Sequence, residues 1–87
     1  MSHLDKLVEQ FLKQPPKVLF EDVAKVLEAF GFEERPYGGG SHRAFAKSGH
    51  RPKIVPTVKG RLVKRAYVRM IIENLNLEDW YETRHGA

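Results

Sequence analysis

A chain of 87 residues and 10.0 kDa without a cysteine has room for one domain and one modest core, and it excludes disulfides, thiolate zinc sites and cysteine nucleophiles. With 41% hydrophobic and 10% aromatic residues it is globular material rather than a disordered basic tail, and no apolar run approaches the ~18 residues of a membrane span or a signal-peptide core, so a cytoplasmic protein is expected. The net charge of +4 hides a block: residues 35–72 hold ten basic groups and no acidic one, while 1–34 and 73–87 each sum to −3, which points to a polyanionic partner unless the flanking helices supply the counter-charges.

Leu4, Leu7, Val8, Phe11 and Leu12 recur at the spacing of an amphipathic helix. Ser2 with Asp5 three residues on predicts a capping box at its start. Gln14-Pro15-Pro16 ends it, because proline lacks an amide donor and restricts the residue before it. Residues 14–18 are expected to form a short, stiff linker. A second helix is expected over residues 21–30, with Val23, Val26, Leu27 and Phe30 as its apolar stripe. Glu21 and Asp22 suit its positive end, and Gly31 is suited to close it.

An extended stretch at 32–37 leads into Gly38, Gly39 and Gly40. Residues 41–47 read as a strand, with Ser41, Arg43, Phe45 and Lys47 on one face and His42, Ala44 and Ala46 on the other. After a turn at Ser48-Gly49, residues 53–58 read as a third strand, and Pro52 and Pro56 place it at a sheet edge. Leu62, Val63, Ala66, Tyr67, Met70, Ile71 and Leu75 keep helical spacing, which predicts the longest helix of the chain. Asn76 is expected to end it and to cap a final turn over 77–81, with Trp80 packed back on the core. The fold class is α+β: a three-stranded antiparallel sheet with helices on one face, in αβββα order, plus an extra N-terminal helix.

The glycine run does not make a phosphate loop, which needs Lys-Ser/Thr where Ser41-His42 stands. It suits a turn with positive φ, or close approach of a nucleic-acid backbone. His42 follows it, inside the acid-free segment. An imidazole can take a proton from a ribose 2′-OH or give one to a leaving 5′-oxygen, and nearby cations would stabilise the charge developing on phosphorus. The plainer alternative is an ordinary surface histidine. His50, across the turn, is expected two to three residues along from His42, roughly 7–10 Å, which is far for direct pairing. His3 and His85 read as incidental. The four histidines have no metal-ligand spacing, and no metal or other cofactor is expected.

Lys64, Arg65 and Arg69 occupy adjoining positions near the start of the last long helix. Cations there oppose the helix dipole, which fits a phosphate bridging amides and side chains; a solvated face is the alternative. Tyr37 and Tyr67 could stack on bases, although packing is favoured for Tyr67.

The string Tyr37-Gly38-Gly39-Gly40-Ser41-His42-Arg43-Ala44-Phe45 resembles the glycine–Ser-His strand of the HicA family, the small toxins of HicA–HicB toxin–antitoxin pairs. Gly31-Phe32 before it, Ile54-Val55-Pro56 after it and Leu77-Glu78-Asp79-Trp80 near the end are similar in order, so the resemblance covers about residues 19–82. It implies a fold like the double-stranded-RNA-binding domain and a ribosome-independent mRNA interferase neutralised by HicB. It further implies that His42 is catalytic and that Gly40 and Ser41 shape its turn. Arg43, Lys47, Lys53, Lys64, Arg65 and Arg69 would then hold RNA phosphates. Many members carry a second histidine shortly after the third-strand proline, where this chain has Thr57 and Val58, and many open the last helix with Gly-Thr near Ala66-Tyr67. On this reading residues 1–18 are an added helix and proline linker, 19–82 the HicA-like domain and 83–87 a tail. The added helix has three open roles: core supplement, dimerisation face or antitoxin contact. A non-catalytic RNA-binding module and a protein-docking module remain as alternatives.

Overall fold

The expected capping box forms. Ser2 Oγ accepts from the Asp5 amide at 3.1 Å, and the Asp5 carboxylate accepts from the Ser2 amide at 3.0 Å. This opens α1 (His3–Leu12) in a computed structural model that describes residues 2–35 and 42–86. Leu7, Val8 and Phe11 are buried, with Leu4 and Leu12 packed against them. The apolar stripe of α1 is thus spent inside the domain, as a core supplement.

Beyond the two prolines the structure corrects the linker reading. Residues Lys17–Leu19 form strand β1, paired antiparallel with β5 (Leu62–Lys64) in the register Lys17↔Lys64, Val18↔Val63 and Leu19↔Leu62. Helix α3 (Arg65–Asn74) accordingly begins three residues after Leu62, and at ten residues it equals α1 rather than exceeding it. Leu62 and Val63 fell in step with helical spacing by coincidence; period two is what turns Val63 inward against Val18.

Helix α2 (Phe20–Ala29) buries Phe20, Val23, Val26 and Leu27 and carries Glu21 and Asp22 in its first turn. Gly31 follows its C-cap at φ +95°, and a Cβ there would stand 3.0 Å from the Lys47 side chain. Both the left-handed backbone and the close approach call for glycine. Strands β2 (Glu33–Arg35), β3 (His42–Ala46) and β4 (Lys53–Pro56) make the expected antiparallel meander, with β4 at an edge. The glycine turn at 38–40 and Tyr37 lie outside the described residues. Phe45 and Val55 are buried on the inner face, and the Phe20 ring lies 6.0 Å from that of Phe45. His42, Ala44, Ile54 and Pro56 alternate onto the other face.

Helix α4 (Leu77–His85) runs beyond the expected 77–81 and takes residues 83–85 out of the tail. Asn76, at φ 53°, breaks the chain between α3 and α4, and Leu77 is fully buried. Trp80 packs on Phe30 at 5.7 Å between ring centres. The polar side of α4 is fastened to α1. Arg84 Nε donates to Asp5 at 2.9 Å, His85 Nε2 lies 3.3 Å from Asp5, and the Tyr81 hydroxyl donates to Glu9 at 2.6 Å. His85, read as incidental, therefore has a structural partner. One core joins residues on both sides of position 18. No helix among the described residues is long and apolar enough to cross a membrane.

Asp5 is 3% exposed. Hydrogen bonds from Arg84, and then from Ser2, hold its carboxyl well below the usual carboxylate range. A depressed carboxyl contributes stability that is complete above its unfolded value of ~3.9 and is lost as pH falls through the folded value. The melting-temperature gap between wild type and Asp5→Asn is therefore expected to be full at neutral pH. It should narrow as pH is lowered from about 4 towards 2. Circular dichroism melts read this directly, and a gap constant across that range would remove the carboxylate from the account.

Candidate nucleic-acid interface

His42 opens β3 directly opposite Pro56, the last residue of β4. Its ring belongs to the outer face of the sheet, and the residue is exposed. From Pro56 the chain takes two steps to Val58, which bridges Leu62 across the turn containing Lys59 and Gly60. It then runs through β5 to Lys64, the N-cap of α3, and Arg65, its first residue. The sheet end that carries His42 is thus the end from which the chain departs towards the basic start of α3. Lys64, Arg65 and Arg69 are all exposed. Arg65 and Arg69 lie one turn apart on the same helix face. Arg65 Nε also donates to the Gln14 carbonyl at 2.9 Å.

The remaining cations are placed differently. Arg43 shares the inner face with Phe45, where its Nε is bonded to the Glu34 carboxylate and its guanidinium lies 4.4 Å over the Phe20 ring. Lys47 Nζ donates to the Phe30 carbonyl at 2.8 Å, which closes the end of α2. Lys53 Nζ stands 5.8 Å from the Phe32 ring centre. Arg43 and Lys47 therefore hold helix and sheet together, and Lys47 and Lys53 belong to the hairpin end remote from His42. Gly40 and Ser41 lie outside the described residues.

His50 does not approach His42. The register His42↔Pro56 through Phe45↔Lys53 puts His50 beyond the far end of the ladder, six residues along from His42 and roughly 20 Å away at ~3.3 Å per residue. The expected spacing of two to three residues is too short, because in this register His50 mirrors position 48 of the facing strand. His50 instead meets the Phe32 ring edge-on at 5.8 Å. Tyr67 packs against the core, and burial raises its phenol. Among the described residues no three His, Cys, Asp or Glu side chains are grouped to hold a metal ion.

One cation escaped the sequence reading. Lys17 stands opposite Lys64, and only the pairing of β1 with β5 brings it there. A family model described as the HicA toxin of bacterial toxin–antitoxin matches residues 20–77. No curated protein and no solved structure matches the chain. The matched span starts at the first residue of α2 and ends at the first residue of α4, so α1 and β1 precede it.

Proposed function

Because this chain belongs to the HicA family, the toxins of bacterial toxin–antitoxin systems, we propose that it is an endoribonuclease that cleaves mRNA with His42 as its proton-transfer group. The observation that carries this reading is an exposed histidine at the first position of β3, opposite the proline from which the chain runs on through a turn to Lys64 and Arg65. The imidazole takes the proton of a ribose 2′-OH, the 2′-oxygen bonds to phosphorus to leave a 2′,3′-cyclic phosphate, and the 5′-oxygen departs as its bond to phosphorus breaks, taking a proton from water. The exposed cations at the start of α3 bind the flanking phosphates and stabilise the charge on phosphorus. A-form RNA is read through its shape and backbone, so weak sequence preference accompanies this chemistry. The family implies a cognate antitoxin, which we assign to the HicB type, with carboxylates facing the basic surface.

Proton transfer by an imidazole needs no metal ion. Cleavage of a purified transcript is therefore expected to continue at the same rate in excess EDTA. Loss of cleavage on chelation, with recovery on adding Mg²⁺, would move the chemistry off His42. A second reading is favoured by one observation: Thr57 and Val58, not a histidine, follow Pro56, and His50 lies at the other end of the hairpin. A non-catalytic RNA-binding module would show strongly salt-dependent binding without products.

A further inference from the structure

Strand β1 lies ahead of the span that defines the family, yet its first residue joins the cationic surface. Lys17 and Lys64 are direct cross-strand partners, so their side chains leave the two-stranded ribbon on one side, with Cβ atoms roughly 5 Å apart. Both residues are exposed. Val18 and Val63 point the other way, into the core. Like charges placed directly opposite destabilise a strand pair, and neither ammonium has a carboxylate partner among the described residues. The arrangement is nevertheless fixed by hydrogen bonds to main-chain carbonyls. The Arg65 amide donates to the Pro16 carbonyl at 3.0 Å, and Arg65 Nε donates to the Gln14 carbonyl at 2.9 Å. Gln14 itself turns the chain into the strand at φ 52°, a left-handed conformation that a non-glycine residue adopts only under constraint.

A repulsive pair held in register makes physical sense if an anion between the two ammonium groups relieves it. We propose that Lys17 is an RNA-contacting residue that binds the phosphate backbone together with Lys64, so that the segment preceding the family domain extends its RNA surface as well as its core. This rests on the RNA-binding reading above. The anion is assigned to RNA because Arg65 and Arg69 continue the same basic run along α3 with no carboxylate in its first turn.

The test uses the full chain carrying His42→Ala, so that bound RNA stays intact, and reads the anisotropy of a labelled single-stranded RNA over a NaCl series. Lys17→Ala is expected to reduce the log–log salt slope by about 0.7, the contribution of one phosphate contact. Lys64→Ala should do the same, and Lys25→Ala on α2 should change nothing. Lys17→Glu separates a binding role from a structural one: an opposite-charge pair should raise the melting temperature by a few degrees while RNA binding weakens further than in Lys17→Ala. A slope unchanged by Lys17→Ala but reduced by Lys64→Ala would overturn the role of Lys17 and leave the RNA reading standing. No measurable RNA affinity in the parent chain would overturn both. An unchanged slope combined with lost neutralisation by the cognate antitoxin would assign the lysine pair to protein docking and overturn the proposal.

Discussion

Replacing His42 with alanine is expected to lower RNA cleavage by about 10²–10⁴-fold, the usual contribution of a positioned acid–base group, and to abolish the growth arrest caused by expressing the chain. The fold should survive. His42 is exposed at the first position of β3, and surface substitutions of this kind stay within about 0.5 kcal/mol of neutral. RNA affinity should also survive, because the cations proposed to bind phosphate sit on α3 and, by the further inference, on β1. The decisive comparison is therefore threefold: turnover, binding and melting temperature on the same two proteins. Equal cleavage and equal toxicity in wild type and His42→Ala would remove this residue from the chemistry. A joint loss of binding and melting temperature would assign it a structural role instead.

Phe11→Ala is expected to be the most damaging single change outside the matched span, at about 3–5 kcal/mol. The ring is fully buried and belongs to one core with Val23, Val26, Leu27 and Leu77. Domains of this size have about 5–15 kcal/mol in total, so the variant should melt far below wild type. The measurement is a thermal or urea unfolding curve followed by circular dichroism. A melting temperature within a few degrees of wild type would mean that the family span folds without α1. Lys13→Ala, on the exposed end of the same helix and paired only loosely with Glu9 at 3.9 Å, should leave the curve in place.

The features legible in the sequence are those set by neighbours along the chain. The Ser2–Asp5 box, the stripe of α2, the close at Gly31 and the edge position of β4 all follow from residues within a few positions of each other. Alternation along β3 was equally plain, and it already put Arg43 and Lys47 on the face of Phe45. Their charge makes them candidates for RNA contact, and the face they share with Phe45 accounts for their contacts with Glu34, Phe20 and Phe30. What stayed hidden depends on distant partners. Three residues at 17–19 carry too little pattern to announce a strand, and their mate lies past residue 61. The full length of α4 was equally obscure, because its anchors Asp5 and Glu9 stand at the opposite end of the sequence. The role proposed for His42 rests on the motif around it, since an isolated imidazole on a strand has no periodicity of its own.

The bond between Asp5 and Arg84 spans 79 positions, and this sets an order of events during synthesis. The first helix leaves the ribosome long before its guanidinium partner exists. Until residue 84 has emerged, the Asp5 carboxylate lacks that cation, and the corner between the first and last helices cannot close. A nascent chain that ends short of Arg84 would have to bury Asp5 without that counter-charge, which is unfavourable for any charged group. The codon for Arg84 therefore acts on the packing of the first turn of α1.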